Sequence, residues 1–339
     1  MRAVGYQAPG ALTEERSLTD MDLPQPEPRG RDILVAVKAV SVNPLDTKVR
    51  RRVGPETGQW KVLGWDAAGV VVGTGPDVSL FNPGDEVYYA GALQRQGTNA
   101  EFHLVDERIV GRKPRSLGFA EAAALPLTAI TAWEAFFDRL DVAKAVPGAA
   151  SAVVIIGGAG GVGSIAVQLA RKLTGLTVVA TASRPETQSW VRDLGAHHVI
   201  DHTKPLSEQI ASLGIGAPGF VFSTTKTSDH LAQIVEFIAP QGRFALIDDP
   251  ERLDINPFKR KCVSIHWESM FTRSLFETAD MSEQGRLLNR VAELVDDRAI
   301  RTTFAEHFGV ISAANLKRAH ALIESGKARG KIVLEGFQD

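Results

Sequence analysis

The residues best placed to do chemistry are six consecutive ones, Gly158-Ala159-Gly160-Gly161-Val162-Gly163. Three of the glycines fall at G-x-G-x-x-G spacing, directly after the β-like run Val153-Val154-Ile155-Ile156 and before a helical face of Ile165, Ala166, Leu169 and Ala170. Glycine at such positions lets the backbone turn sharply and approach a pyrophosphate, whose charge is met by free N–H groups and the positive end of the helix dipole. A purely structural turn has the same letters, but the strand before it and the helix after it point to dinucleotide binding.

A site for NAD carries an acidic residue about 20 positions beyond the glycines, where it holds the ribose 2′-hydroxyl. Here Ala182-Ser183-Arg184 stands in that region. A carboxylate would repel a 2′-phosphate, whereas a hydroxyl and a guanidinium would bind it through charge-assisted hydrogen bonds, so NADPH is expected over NADH. The plainer alternative makes Ser183 a helix cap and Arg184 a solvated first-turn residue.

Metal chemistry finds few ligands. One cysteine, Cys262, excludes an intramolecular disulfide and a cysteine-clustered zinc site, and it fits a reducing compartment, so the cytoplasm is expected. His198 and His202 share a face of an extended segment and His197 points away, with no third ligand at recognisable spacing. The 339 residues carry a formal charge of -2 without a polybasic run, which argues against nucleic acid and anionic membrane partners and for small molecules. Ala149 to Ala170 is uncharged, but its glycines mark a turn rather than a membrane span. The N-terminal residues lack a signal-peptide pattern.

These residues need elements to hold them. Up to about Leu125, short runs such as Ile33–Lys38 and Gly69–Gly73 between Gly and Pro punctuation predict an irregular β-barrel. From Val153 strands alternate with amphipathic helices, the pattern of a parallel sheet, with strands expected at Val153–Ile156, Thr177–Thr181, His198–Ile200, Phe220–Ser223, Arg243–Ile247 and Val263–Trp267. Asp229 is expected to cap a helix ending before Pro240. Beyond Met270, helices are expected around Ser282–Val295 and Ala313–Ser325, the second capped by Ser312, and a final strand Lys331–Leu334 is expected to return to the first domain. Val263–Trp267 would lie at a sheet edge, where a second copy could pair, so a homodimer is expected.

Several ordered segments carry a family resemblance over nearly the whole chain. Ser41-Val42-Asn43-Pro44-Leu45-Asp46, Gly64-Trp65-Asp66-Ala67-Ala68-Gly69, Pro83-Gly84-Asp85-Glu86-Val87, Leu125 to Trp133 and Gly330-Lys331-Ile332-Val333-Leu334 together resemble the quinone oxidoreductases of the medium-chain dehydrogenase/reductase superfamily. The resemblance implies an α/β protein: a GroES-like β-barrel catalytic domain (1–126 and 272–339), a Rossmann doubly wound domain (127–271), and an active site in the cleft. Zinc alcohol dehydrogenases of that superfamily carry a Cys in the early loop and His-Glu in the second segment. Asn43-Pro44 and Trp65-Asp66 stand there instead, so no metal is expected.

By the same resemblance, Asn43 is the expected donor to the substrate oxygen and Thr128 lies beside the nicotinamide, with Asp46 and Trp65 lining the cleft. Asn43 as a turn residue, Thr128 as a cap and Trp65 as core are the alternatives. His202 is expected beside the adenine or else as an exposed loop residue, Phe271 over the nicotinamide, and Arg329 and Lys331 near the cofactor phosphates. Without a Lewis acid, quinones and α,β-unsaturated carbonyls are easier hydride acceptors than simple ketones, because their added electrons delocalise into a conjugated oxygen. The competing functions are a zinc-dependent alcohol dehydrogenase with atypical ligands and a non-catalytic NADPH-binding sensor or structural protein.

Overall fold

The computed structural model describes residues 1–14 and 17–337. The chain divides into two compact units, Met1–Ile130 with Phe271–Asp339, and Thr131–Met270. The fold is α/β, with a GroES-like unit and a Rossmann unit.

The second unit is built on one parallel sheet. Its strands are β1 (Ala150–Ile156), β2 (Thr177–Thr181), β3 (His198–Ile200), β4 (Pro218–Ser223), β5 (Arg243–Leu246) and β6 (Ser264–Trp267), in the order β3-β2-β1-β4-β5-β6. That order reverses direction between β1 and β4, the switch point where such sheets bind ligands at their carboxyl ends. Val153 to Ile156 are buried because the central strand is covered on both faces, which is why the run reads as continuously apolar rather than alternating. The helices are α1 (Gly161–Leu173), α2 (Pro185–Asp193), α3 (Leu206–Ser212) and α4 (Thr227–Phe237).

Two helix starts differ from expectation. Arg184, not Ser183, is the N-cap of α2: its amide receives the Thr187 hydroxyl oxygen at 3.2 Å, and Pro185 supplies the first helical residue. Asp229 lies inside the first turn of α4, and the amide of Thr227 donates instead to Asp248 Oδ2, 2.8 Å away. Before β1 the chain widens into a π-helix over Glu134–Arg139, where the Leu140 amide donates to Ala135 O. Such widenings are rare and concentrate at functional sites.

In the first unit the long strand Asp32–Val42 organises the described sheet. It pairs antiparallel with Ala67–Thr74, Phe102–Asp106 and the final strand Lys331–Glu335, changing partners along its length with irregularities at Leu34/Val35 and Val37/Ala39. The register with the final strand sets Ile332 opposite Val42, which carries Lys331 to Asn43, the next residue along. Asn43 then caps the helix Pro44–Arg52, and the helix Ala313–Glu324 begins at Ser312, whose hydroxyl accepts from Asn315 N.

Candidate functional site

In the first unit the expected site residues meet in a buried polar network. Asn43 Nδ2 donates to Asp66 Oδ2 at 2.8 Å, and Lys331 Nζ donates to Asn43 Oδ1 at 2.5 Å and to Asp66 Oδ2 at 2.9 Å. Asp66 Oδ1 accepts from the Leu127 amide at 2.7 Å. These partners fix the orientation of the Asn43 amide, since its oxygen must face the ammonium and its nitrogen the carboxylate. Burial pushes Asp66 up, while Lys331 and the Leu127 amide pull it back.

Asp46 closes the network through the capping box, accepting from the Asn43 amide at 2.8 Å. Its carboxyl is pushed up to about 7, first by burial; the Asn43 amide and Lys331 counter this and the charge of Asp66 adds to it. Its Oδ1 has no hydrogen bond. Asp46 can therefore hold or release a proton near neutral pH.

Trp65 is core on one side and polar at one atom: it is 1% exposed, Nε1 donates to Ala92 O at 3.4 Å, and its ring meets Phe271 edge-on at 6.4 Å. Thr128 is buried and its hydroxyl donates to Leu125 O at 3.1 Å. Arg329 is half-buried. Lys331 departs from its expected role: at 3% exposure its ammonium is directed to Asn43, Asp66 and Val42 O inside the first unit, rather than to an open surface from which it could take a phosphate.

Among the described residues no group of three or more His, Cys, Asp or Glu could hold a metal. An indole stands where an imidazole would be needed, Asp66 is already tied by three donors, and Cys262 is exposed in the second unit. A catalytic zinc with three protein ligands does not fit these side chains.

The second unit holds a cradle that does fit a dinucleotide. Gly157 turns with φ at +82°, and a Cβ on Gly163 would run into the Gly157 carbonyl, so this helix can approach the strand only without a side chain. A Cβ on Gly160 would meet only Gly157 O, at 3.6 Å, which leaves its outer face open to a close ligand. Ala159, Gly161 and Val162 complete the turn into α1, whose first amides have no carbonyls of their own helix to bond. At the end of β2, Ser183 and Arg184 are half-buried, and Arg184 Nε pairs with Glu186 at 2.9 Å. Beside them His202 is half-buried, with Nδ1 on Thr181 Oγ1 at 3.1 Å. A cavity of about 340 Å³ lined by Phe137, Val146, Leu173, Leu176 and Phe220 sits at the other end of β1 and takes no part in this cradle.

Comparison with known proteins agrees with this architecture. The family model of the alcohol dehydrogenase GroES-like domain matches residues 29–133, and that of zinc-binding dehydrogenases matches residues 194–334. A zinc-type alcohol dehydrogenase-like protein of Staphylococcus aureus (strain MSSA476) is 39% identical over 336 residues, covering 98% of this chain and 99% of the relative. The chain belongs to the medium-chain dehydrogenase/reductase superfamily. The dehydrogenase/reductase is also similar to the crystal structure of a putative zinc-dependent alcohol dehydrogenase from Rhizobium etli CFN 42, with 68% identity, TM-score 0.98, and coverage of 100% of this chain and 99% of that one. The quinone oxidoreductase of Coxiella burnetii shares 27% identity at TM-score 0.79, covering 99% of both chains. The superfamily is one of oxidoreductases that use nicotinamide cofactors.

Sequence reasoning missed Asp66 as the hub of the network, and it missed Lys226 and His230 near the cradle. Asp66 follows Trp65 within a recognised segment, but its pairing with a lysine 265 residues away leaves no local trace.

Proposed function

We propose that this dehydrogenase/reductase is an NADPH-dependent enzyme that reduces quinones or α,β-unsaturated carbonyls without zinc. The observation that carries the reading is the Asn43–Asp66–Lys331 network beside Trp65, which occupies the positions of a metal-binding set with groups that cannot form one. The half-buried Ser183 and Arg184, with no acidic residue at either position, support the choice of NADPH.

When bound, the cofactor supplies a hydride to the conjugated acceptor. The protein's own residues then have two tasks. The first is to hold polar groups near the developing negative oxygen, for which Asn43, oriented by Lys331 and Asp66, and Thr128 are the candidates. The second is to supply a proton, and Asp46, poised near neutrality, is the group of this network suited to store one. Phe271 and Arg329 belong to the same reading as cofactor contacts. The reading extends to a cytoplasmic homodimer paired through β6, an edge strand whose Trp267 is 55% exposed.

The names of the staphylococcal and rhizobial relatives favour a second reading, a zinc alcohol dehydrogenase. NADPH oxidation by EDTA-treated protein, assayed against quinones, enones, ketones and aldehydes with metal content measured on the same sample, separates the two. Turnover of quinones or enones without zinc is expected. Activity restricted to aldehydes or ketones and restored by zinc would overturn the proposal, and cofactor binding with no acceptor reduced would point to a binding protein. Arg184→Ala is expected to weaken NADPH binding about tenfold with little change for NADH, the effect of losing one charge-assisted contact.

A further inference from the structure

The adenosine end of the cradle contains more titratable groups than one phosphate contact needs. The rings of His202 and His230 lie with centroids 6.4 Å apart. His202 follows β3 and is tethered to Thr181 at the end of β2, while His230 projects from the first turn of α4. Both rings are half-buried. Lys226, held in the left-handed conformation with φ at +51°, immediately precedes α4, and Arg184 opens α2.

The charges around the two rings are mostly positive. Burial is the main force lowering His202, and His230, Lys226 and Arg184 lower it further against Asp201. Burial also lowers His230, with Lys226 acting in the same sense and Asp229 and Asp248 opposing. The acids have other partners: Asp248 holds the amide and hydroxyl of Thr227, Asp201 accepts from the amide and hydroxyl of Thr203, and Glu186 pairs with Arg184. In the free protein an imidazolium here would stand among cations. A doubly charged 2′-phosphate reverses that balance, because an opposite charge within a few ångströms favours the protonated ring. A 2′-hydroxyl brings no such charge.

We propose that His202 and His230 form a proton-linked part of the 2′-phosphate site, neutral in the free protein and taking up a proton when NADPH or NADP⁺ binds, so that pH tunes the preference over NADH. This rests on the assignment of the 2′-phosphate to Ser183 and Arg184. The sign follows from linkage: the added affinity is complete below the histidine pKa of the free protein and is lost as pH rises through the higher pKa of the complex. The phosphate's own second ionisation, near pH 6, lies below the useful range.

The test is calorimetric titration of NADP⁺ and NAD⁺ between pH 6.5 and 8.5, in pairs of buffers with different ionisation enthalpies. Wild-type protein is expected to take up about half a proton with NADP⁺ at pH 7 and none with NAD⁺, and the affinity ratio of the two is expected to rise roughly fivefold from pH 8.5 to 6.5. The double variant His202→Asn, His230→Gln is expected to lose the uptake and flatten the ratio. The wild-type measurement stands whether or not that variant folds. NADP⁺ preference without proton uptake would overturn the histidine proposal and leave the Arg184 assignment in place. Equal affinity for NADP⁺ and NAD⁺ at every pH would overturn the Arg184 assignment and this proposal with it.

Discussion

Each unit buries two carboxyl groups beside one cation, and the proton is held differently in the two places. In the first, Asp46 and Asp66 lie beside Lys331, which is 3% exposed, and Asp66 accepts from Lys331, Asn43 and the Leu127 amide. In the second, Glu134 and Glu268 lie beside Arg139, whose side chain is 32% exposed and whose Nε reaches Glu268 Oε2 at 2.9 Å. Glu268 Oε1 is left without a hydrogen bond. The Glu268 carboxyl is pushed up to about 9, by burial first and then by the charge of Glu134, with Arg139 opposing; Asp46 reaches only about 7. A nearby cation is thus not enough to keep a buried carboxyl ionised. The number of N–H donors fixed on its oxygens matters as much, and the first unit supplies more of them.

Removing the cation from the better-satisfied network tests this most severely. Lys331→Met is expected to cost about 3–5 kcal/mol of stability at pH 7, because Asp66 would remain buried without its counter-charge. Denaturant unfolding measures it, and a loss below about 1 kcal/mol would mean the other donors suffice.

The two remaining tests follow the protons. A carboxyl whose pKa is raised in the folded protein stabilises most below the unfolded value of about 4, and that contribution is lost as pH rises through the folded value. Glu268→Gln should therefore abolish a decline of up to about 3–4 kcal/mol in stability between pH 5 and 8, leaving the variant the more stable form at pH 8. Asp46→Asn should abolish a smaller decline, about 2–3 kcal/mol over the same interval, centred nearer neutrality. Unfolding midpoints at half-unit steps of pH distinguish the two profiles. Reversal of their order would break the link between donor number and proton retention.

Much of the second unit was legible because its pattern is local. β2 and β3 occupy the expected residues, Thr177–Thr181 and His198–Ile200. β1 and β4 begin earlier than expected, at Ala150 and Pro218, where small residues and proline give no β signal but parallel pairing with a neighbour continues. The helix starts at Arg184 and Lys226 were less legible, since a cap is decided by which side chain reaches which amide.

The glycine turn, the missing acid after β2, the alternation of strands and helices and the lack of a metal-ligand set follow from residue types at short spacing, where covalent connection enforces proximity. The union of Lys331 with Asn43 and Asp66, the approach of His230 to His202 and the burial of Glu134 with Glu268 join residues far apart in the chain. Their partners are selected by strand register and packing, and burial then sets their charges, so no window of sequence contains the information that places them.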